Sequence, residues 1–362
     1  MSQDSVAREG SGGIGQEAVS PAAASPERAS ASAELMGMIF GFEVSRAIYV
    51  AAELGIADLL AESGRTVEQL AAATGTRAPL LYRLMRALAG RGVFAERDDG
   101  QFVMTALAQP LRSDAPGGSA RGYALLAGQS FAQRPWEELL ATLRTGEPGF
   151  DLVYGASLFE YLAGDTEASE VFNDAMTSNT SREADAVVAA YDFGGLGTIV
   201  DVAGGHGGLI AAILAANPAA RGVLFDRPHV IAGARATLQR RGLADRCELV
   251  GGDMFASVPP GGDAYVVKRA VHDWDDDRAR AILENCSRAM NDGGRVLVID
   301  MVIPPGNDPH PGKFYDLLMM VMLGGRERTA PEFAELFTSA GLKVTRIVPT
   351  QSPLSIVEGI QA

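Results

Sequence analysis

Asp201-Val202-Ala203-Gly204-Gly205-His206-Gly207-Gly208 is a glycine-rich turn between an apolar run, 198–203, and a helical segment that begins at Leu209. Glycines after a strand let backbone N–H groups approach a ligand with no Cβ in the way. From this turn to the C-terminus, apolar runs alternate with helical segments, which predicts an α/β fold with a parallel, doubly wound sheet. We expect parallel strands, closed by an antiparallel hairpin, at 198–203, 222–225, 248–250, 264–267, 296–303, 343–348 and 355–360.

The turn has the features of a site for one particular cofactor. Its match to the dinucleotide fingerprint is poor, because Ile210 stands where the third glycine should be. Asp201 suits an ammonium group, and the N-terminus of the following helix suits a carboxylate. Asp226, at the end of the next strand, can accept both hydroxyls of a ribose. The tip of the third strand, Gly251-Gly252-Asp253-Met254-Phe255, offers an acceptor and an apolar side chain to an adenine. The alternative is a set of ordinary turn residues, but together these features describe a site for S-adenosylmethionine.

A histidine follows the fourth strand at the same edge of the predicted sheet, where the chain reads Lys268-Arg269-Ala270-Val271-His272-Asp273-Trp274. Ligands of open α/β sheets bind beyond the carboxyl ends of the strands. A histidine pKa of about 6.5 suits removal of a proton from a weak acid such as a phenol. A carboxylate that accepts from one ring N–H leaves the other ring nitrogen free as a base. We therefore predict His272 as a general base, with Asp273, Asp300 and Glu327 as its acidic neighbours.

The remaining histidines carry less weight. His206 either lines the cofactor or is an exposed turn residue, and His229, at a helix start after a proline, is interpreted as a cap. His310 lies between two prolines and is given no role. The histidine spacing does not indicate a metal site.

Composition and charge exclude several classes of protein. The 362 residues include 45 acidic and 31 basic ones, so the net charge is −14, which argues against a protein that binds a nucleic-acid backbone. The longest apolar runs fall far short of the ~20 residues that a membrane-spanning helix needs. Only Cys247 and Cys286 are present, without the spacing of a disulfide scaffold or a zinc site. A cytoplasmic protein with no membrane and no nucleic-acid partner is the expectation.

The chain before the turn divides into three parts. Residues 1–33 are small and polar and predict a disordered tail. Residues 34–112 contain two buried helices, then a helix–turn–helix and a hairpin, which is the arrangement of a winged helix. Its second helix, Ala78–Gly92, is expected to turn Leu80 and its apolar neighbours inward; its arginines could bind DNA, but the acidic chain favours dimerisation instead. Residues 113–195 are mainly helical, and 196–362 form the α/β domain.

Five ordered stretches over residues 34–362 resemble one family, the small-molecule O-methyltransferases of the plant caffeate and flavonoid type and their actinobacterial relatives that tailor antibiotics. The stretches are Asp201–Gly208, Phe225-Asp226-Arg227-Pro228-His229-Val230, Gly252-Asp253-Met254-Phe255, Lys268 through Trp274, and Gly325–Thr329. The resemblance implies a class I (Rossmann-like) methyltransferase domain, a winged-helix dimerisation domain, a homodimer and no metal.

The resemblance also implies roles for individual residues. The methionine part of the cofactor lies at Gly204 and Gly205, the ribose at Asp226 beside Arg227, and the adenine at Asp253 and Met254, flanked by Gly252 and Phe255. Lys268 lies beside the cofactor and is followed here by Arg269. His272 is the base, and Asp300 and Glu327 hold its ring. Asp300 stands where plant members usually have glutamate, so its shorter carboxylate is expected to reach His272 only through water. The acceptor is expected against Phe131, Trp136, Phe172, Met176, Trp274 and Met322, with plain core packing as the alternative for each.

The expected reaction is methylation of a phenolic hydroxyl in an aromatic polycyclic secondary metabolite, as in antibiotic biosynthesis. The use of Ala, Gly and Arg suggests a high-GC bacterium, and anthraquinone, naphthoate, phenazine and mitosane acceptors all stay open. Three alternatives remain: a hydroxylase or decarboxylase on the same fold, a winged-helix regulator with a methyltransferase-like sensor domain, and an NAD-dependent reductase.

Overall fold

A computed structural model describes residues 26–115 and 118–362 of the chain, which divides into two units at Val44. The described part of the first unit contains helix α1 (Pro26–Ile39) and the start of α2 (Gly41–Glu53). A disordered tail was expected through residue 33, and this is wrong for residues 26–33, where Ala, Glu and Arg favour the helix. Residues 1–25 lie outside the described part.

The predicted helix–turn–helix and hairpin occur between residues 65 and 104. Thr66 caps the first of the two helices in a capping box with Gln69, and Gly75, at φ 66°, ends it. The central strand β3 pairs antiparallel with both other strands. Leu81, Met85 and Leu88 of the second helix are buried, but Leu80, expected to face inward, is exposed. The elements are α3 (Ile56–Leu59), β1 (Arg65–Thr66), α4 (Val67–Thr74), α5 (Ala78–Ala89), β2 (Phe94–Glu96) and β3 (Gln101–Met104).

A helical region follows, as predicted. Its apolar side chains pack with those of a later helix into one cluster around Phe131, Phe150 and Met322. The long final helix, α11, leads directly to the sheet. The helices are α6 (Arg121–Gly128), α7 (Ser130–Gln133), α8 (Leu139–Thr145), α9 (Gly149–Tyr154), α10 (Leu158–Gly164) and α11 (Thr166–Ala190).

The C-terminal half forms a seven-stranded sheet in the order β11-β12-β8-β7-β4-β5-β6. Neighbours from β8 to β6 pair parallel, and β12 and β11 add antiparallel strands, which confirms the predicted α/β fold and its final hairpin. The strands are β4 (Thr198–Val202), β5 (Arg221–Asp226), β6 (Cys247–Gly251), β7 (Gly262–Lys268), β8 (Met290–Asp300), β11 (Leu342–Pro349) and β12 (Ser355–Gln361). The short strands β9 (Val302–Ile303) and β10 (Arg328–Thr329) pair parallel beside the sheet.

Helices cover both faces of the sheet. Along β4, Ile199 packs into one core and Val200 into the other, because successive side chains of a strand point to opposite faces. The parallel strands are therefore buried on both sides, and polar groups can gather only at their ends. The helices are α12 (Gly208–Ala216), α13 (Pro228–Arg240), α14 (Asp276–Ala289), α15 (Pro311–Met322) and α16 (Ala330–Ser339).

Within the described ranges, no single helix has the length and apolar character needed to cross a membrane. Two helical segments, Ser30–Ile39 and Gly41–Glu53, reach the threshold only as a pair, and they are bent by 48°.

Candidate active site

The glycine turn, residues 203–208, connects β4 to α12 in a conformation that side chains would disturb. Ala203, Gly205 and Gly207 have φ values of 56°, 58° and 76°. A Cβ on Gly204 would lie 2.6 Å from Cγ of Asp201 and would also collide with Leu224. Glycine is therefore required in this turn by its backbone conformation and by the close packing at Gly204.

Carboxylates from β4 and β5 flank the turn. Asp226 accepts the N–H of Gly205 at 2.8 Å through Oδ2 and that of Arg227 at 2.7 Å through Oδ1. Asp201 is buried, and its Oδ2 has no hydrogen-bond partner within residues 26–115 and 118–362. Burial raises the pKa of Asp201 to about 7. A cationic group bound against the turn would supply the missing partner and keep this carboxylate ionised.

The tip of β6 contributes an acid and an aromatic ring. Oδ2 of Asp253 pairs with Nη1 of Arg227 at 3.0 Å in an exposed ion pair, and its Oδ1 accepts the N–H of Phe255 at 2.9 Å. The Phe255 ring meets the Trp274 ring edge to face, with centroids 4.9 Å apart. The guanidinium carbon of Arg278 lies 4.6 and 4.4 Å from the centroids of these two rings. The half-buried Met254 packs against the core on the same face of the sheet.

The base cluster consists of His272, Asp273, Asp300 and Glu327. His272 is buried in a short turn after β7, and its Nδ1 lies 2.6 Å from Oε1 of Glu327. Oδ1 of Asp300 is 3.7 Å from the same Nδ1, too far for a hydrogen bond, and Oδ1 of Asp273 is 3.4 Å from Nε2. The structure thus brings all four predicted residues together, with Glu327 as the direct partner of the ring. The longer contact of Asp300 follows from its short side chain.

The acidic groups of the base cluster are largely removed from water, and this raises their pKa values. Burial raises the pKa of Glu327 to about 8, that of Asp273 to about 7 and that of Asp300 to about 6. In the described part of the chain, both carboxyl oxygens of Asp300 and Oε2 of Glu327 lack hydrogen-bond partners. A positive charge on His272 would lower these pKa values, because opposite charges at this distance favour the ionised form. The cluster is therefore arranged to stabilise a protonated imidazole.

Buried basic residues support this edge of the sheet, and the sequence analysis missed Glu183 of α11, the partner of Lys268 and Arg269. Its carboxylate accepts a bidentate pair of bonds from Arg269 and lies 2.7 Å from Nζ of Lys268. Arg328, in the quoted Gly325–Thr329 motif, is 1% exposed and donates to the carbonyl oxygens of Val271 and Trp274. Glu183 carries no motif signal, since its partners lie far along the chain.

Two further residues beside His272 were missed. The Tyr315 ring stacks on the His272 ring, with centroids 5.8 Å apart and planes inclined at 21°. The hydroxyl oxygens of Tyr315 and Tyr123 are 3.0 Å apart. Both tyrosines lie in segments whose sequence predicts only helices with apolar faces, so no sequence pattern distinguishes them from core residues.

Four of the six predicted acceptor-lining residues are connected through apolar contacts, and Met176 and Trp136 are not part of this group. Phe131, Phe172 and Met322 belong to one apolar cluster. Phe172 also connects through Phe159 to Trp274, since each neighbouring pair of rings is in contact. Met176 is half-buried on α11. Trp136 is 37% exposed in a short 3-10 helix and is not a member of that cluster.

The other histidines hold local structure. Nδ1 of His206 lies 3.2 Å from Oγ1 of Thr177 on α11. The interpretation of His229 as a cap is wrong, because it lies inside the first turn of α13 and Arg227 occupies the N-cap position. His310, given no role, caps α15 by accepting the N–H of Gly312 at 3.1 Å. Among residues 26–115 and 118–362, no group of three His, Cys, Asp or Glu side chains is placed to hold a metal ion.

Comparisons with known proteins identify the family of this chain. A family model described as an O-methyltransferase domain matches residues 136–343, and one described as an O-methyltransferase dimerisation domain matches residues 36–114. The chain is 47% identical over 327 residues to phenazine O-methyltransferase PhzM of Lysobacter antibioticus. The aligned residues cover 90% of this chain and 95% of the relative.

Two solved structures are similar along nearly the whole chain. The mitomycin 7-O-methyltransferase MmcR superposes with a TM-score of 0.84 at 42% identity, covering 94% of this chain and all of the other. CalO1, a methyltransferase of calicheamicin biosynthesis solved in its SAH-bound form, superposes with a TM-score of 0.83 at 39% identity, covering 92% and 99%.

Proposed function

Because this chain belongs to the S-adenosylmethionine-dependent O-methyltransferase family, we propose that it methylates a phenolic hydroxyl of an aromatic polycyclic secondary metabolite, with His272 as the general base. The chain has the class I methyltransferase fold of that family, with a helical N-terminal dimerisation domain, and it acts as a homodimer. We assign dimerisation to residues 34–112, the acceptor-lining helices to 113–195 and the methyltransferase domain to 196–362. The observation that carries the proposal is the 2.6 Å contact between His272 and Glu327.

The glycine turn and its neighbours fit S-adenosylmethionine. Asp201 has a buried oxygen without a partner among the described residues, which suits the ammonium group. Gly204 packs against Asp201 and Leu224, and Gly205 faces open space, so we assign the methionine part to this backbone; Asp226 can accept the ribose hydroxyls with its remaining lone pairs. We assign the adenine to Asp253 and Met254. When bound, S-adenosylmethionine supplies a sulfonium methyl group, an electrophile that is already activated.

The base cluster supplies the proton chemistry. Glu327 accepts the N–H of Nδ1, and this fixes the tautomer with the lone pair on Nε2. Nε2 then takes the hydroxyl proton of the acceptor as its oxygen becomes nucleophilic. The imidazolium that results lies among the carboxyl groups of Glu327, Asp300 and Asp273, which stabilise its charge. Arg328 holds the backbone on either side of His272, so the ring stays aligned.

The proposed acceptor follows from the lining and from the relatives. Phe131, Phe172 and Met322 present flat and adaptable apolar surfaces, which suit a planar polycycle. The relatives named above act on phenazine and mitomycin scaffolds. The hydroxylase, decarboxylase and regulator alternatives are not favoured, since these relatives are named as methyltransferases. We also propose a cytoplasmic location, which is compatible with the free, buried Cys247 and Cys286.

The His272→Ala variant tests the proposal. We expect it to bind S-adenosylhomocysteine with unchanged affinity in calorimetry, while methyl transfer to a panel of polycyclic phenols, followed by mass spectrometry, falls about 10²–10⁴-fold. Asp245→Asn, at an exposed position outside the proposed site, serves as the control with full turnover. Undiminished methyl transfer in His272→Ala would remove the general-base role.

A further inference from the structure

A polar group that the proposed mechanism does not use lies beside His272. It consists of Tyr123 on α6, Tyr315 on α15 and Arg269 after β7, which we call the tyrosine–arginine group. The guanidinium carbon of Arg269 lies 5.0 Å from the centroid of the Tyr315 ring. The same ring stacks on His272, and its hydroxyl bonds that of Tyr123 at 3.0 Å. Three elements far apart in sequence therefore bring two phenols and a cation next to the base.

Arg269 is held in this place at a cost. Its φ is 51°, a left-handed conformation that non-glycine residues rarely adopt. The N–H of Arg269 donates to the carbonyl of Ile299, and its guanidinium makes a bidentate pair of bonds to Glu183 through Nε and Nη2. Unusual backbone conformations of this kind concentrate at functional sites. The fixed guanidinium thus suits a function at the site as well as an anchor for α11.

One donor of Arg269 is left unused by its buried partner. The side chains of Lys268, Arg269 and Glu183 are only 6%, 10% and 6% exposed, and the Glu183 carboxylate pairs with both cations. In the part of the chain that the structure describes, Nη1 of Arg269 is buried and has no hydrogen-bond partner. A buried N–H group without an acceptor is costly, and native proteins rarely leave one so. An oxygen of a bound ligand that carries full or partial negative charge would satisfy this free donor.

The tyrosines add a second donor. Burial raises the pKa of Tyr123 and of Tyr315, so both phenols stay protonated at neutral pH. One hydroxyl proton makes the bond between the two oxygens, and the other is free to donate. The tyrosine pair therefore offers one O–H donor and Arg269 one N–H donor, and both lie near the Tyr315 ring that stacks on His272.

We propose that the tyrosine–arginine group is a subsite for a second oxygen of the acceptor, one with full or partial negative charge that stands ortho or peri to the hydroxyl that is methylated. Two sources share this chemistry, an aromatic carboxylate and a quinone carbonyl. The inference rests on the proposed function, because it places the reacting hydroxyl at Nε2 of His272. It deepens that function by restricting the acceptors to phenols that carry such an oxygen.

Binding of matched naphthols to the full-length homodimer tests the subsite. The probes are a naphthol with an ortho carboxylate, juglone with its peri carbonyl, and the unsubstituted naphthol, each titrated by calorimetry with S-adenosylhomocysteine present. For the wild type we expect the carboxylate probe, juglone or both to bind at least about tenfold tighter than the parent naphthol, as for a hydrogen bond to a charged group. In Tyr315→Phe and Tyr123→Phe this preference falls toward one. Tyr82→Phe, whose hydroxyl contacts Glu96 on the N-terminal hairpin, keeps it.

The pattern of preferences decides the outcome. A preference for the carboxylate probe identifies an acid acceptor, and a preference for juglone identifies a quinone. A wild type that binds all three probes equally, or Tyr→Phe variants that keep the full preference, would overturn the subsite. Methyl transfer and S-adenosylhomocysteine affinity are measured on the same samples. If the wild type neither transfers methyl groups nor binds S-adenosylhomocysteine, the proposed function is wrong. The binding preference among the three probes still decides the subsite.

Discussion

The glycine turn and the base cluster lie at the ends of neighbouring parallel strands, β4 and β7, but they hold their polar groups in different ways. In the glycine turn, the backbone does most of the bonding, and Asp226 accepts N–H groups from residues close by in sequence or on the adjacent strand. In the base cluster, side chains from three separate segments meet around one ring. The first site depends on the path of the main chain and the second on long-range packing.

The two sites also differ in how their charges are compensated. Asp226 has both of its oxygens bonded, whereas Asp300 has neither bonded to any described residue. Burial raises the pKa of both carboxyls, but the two N–H groups that Asp226 accepts oppose this rise, whereas Asp300 has no such bonds and awaits a positive charge. We therefore propose that the glycine turn governs cofactor affinity and that the base cluster governs the rate of transfer. Substitutions in each region can break this division or sharpen it.

The largest effect is expected for Glu327→Gln. Gln keeps a hydrogen-bond acceptor for Nδ1 but removes the negative charge that stabilises the imidazolium. We expect kcat to fall about 10²-fold, within the usual range for acid–base catalysis, while S-adenosylhomocysteine affinity stays unchanged. Single-turnover methyl transfer and calorimetry measure the two quantities. Equal losses in rate and cofactor affinity would show that the base cluster also shapes the glycine turn and would break the division.

An intermediate effect is expected for Asp226→Asn. The substitution removes the charge that two N–H groups and the ribose hydroxyls share. Hydrogen bonds to charged groups contribute about 1.5–3 kcal/mol, so cofactor affinity should fall about 10–100-fold. The value of kcat at saturating cofactor should change by less than about threefold, because His272 and Glu327 keep their contact. Asp245→Asn, at an exposed position after α13, is the matched control. A loss confined to kcat would contradict the assignment.

The same difference explains what the sequence could predict. The glycine turn is contiguous, and the alternation of apolar runs and helices places it at a strand end, so the fold and the position of the turn follow from local pattern. His272, Asp300 and Glu327 could be predicted because each lies at a strand tip or in a recognisable motif. The distance of 3.7 Å at Asp300 matches the expectation that aspartate falls short of direct contact where plant relatives have glutamate.

The remaining features depend on contacts that no window of sequence contains. Glu183 lies mid-helix and pairs with Lys268 and Arg269 far along the chain, where tertiary packing alone decides the contact. Tyr315 reads as one apolar residue of an amphipathic helix, and its stacking on His272 depends on how α15 crosses the sheet edge. The helix over residues 26–33 was missed for the opposite reason, since a composition typical of disorder also contains good helix formers.

The smallest effect, on stability, sharpens the comparison through pH. Burial raises the pKa of Asp300 from 3.8 to about 6, so the folded state binds this proton more tightly than the unfolded state, and the stability it confers is lost as pH rises from about 4 to 6. Between pH 5 and 8 this amounts to about 1 kcal/mol, or roughly 2–4 °C in Tm, by the usual conversions. Tm of the cofactor-free wild type should therefore fall over this interval, and Asp300→Asn should fall less steeply. Asp263→Asn is the matched control, because its pKa is lowered by the side chain of Asn291 and its removal destabilises the protein without flattening the slope. Equal slopes in the wild type and Asp300→Asn would mean that Asp300 binds its proton no more tightly in the folded state than in the unfolded state.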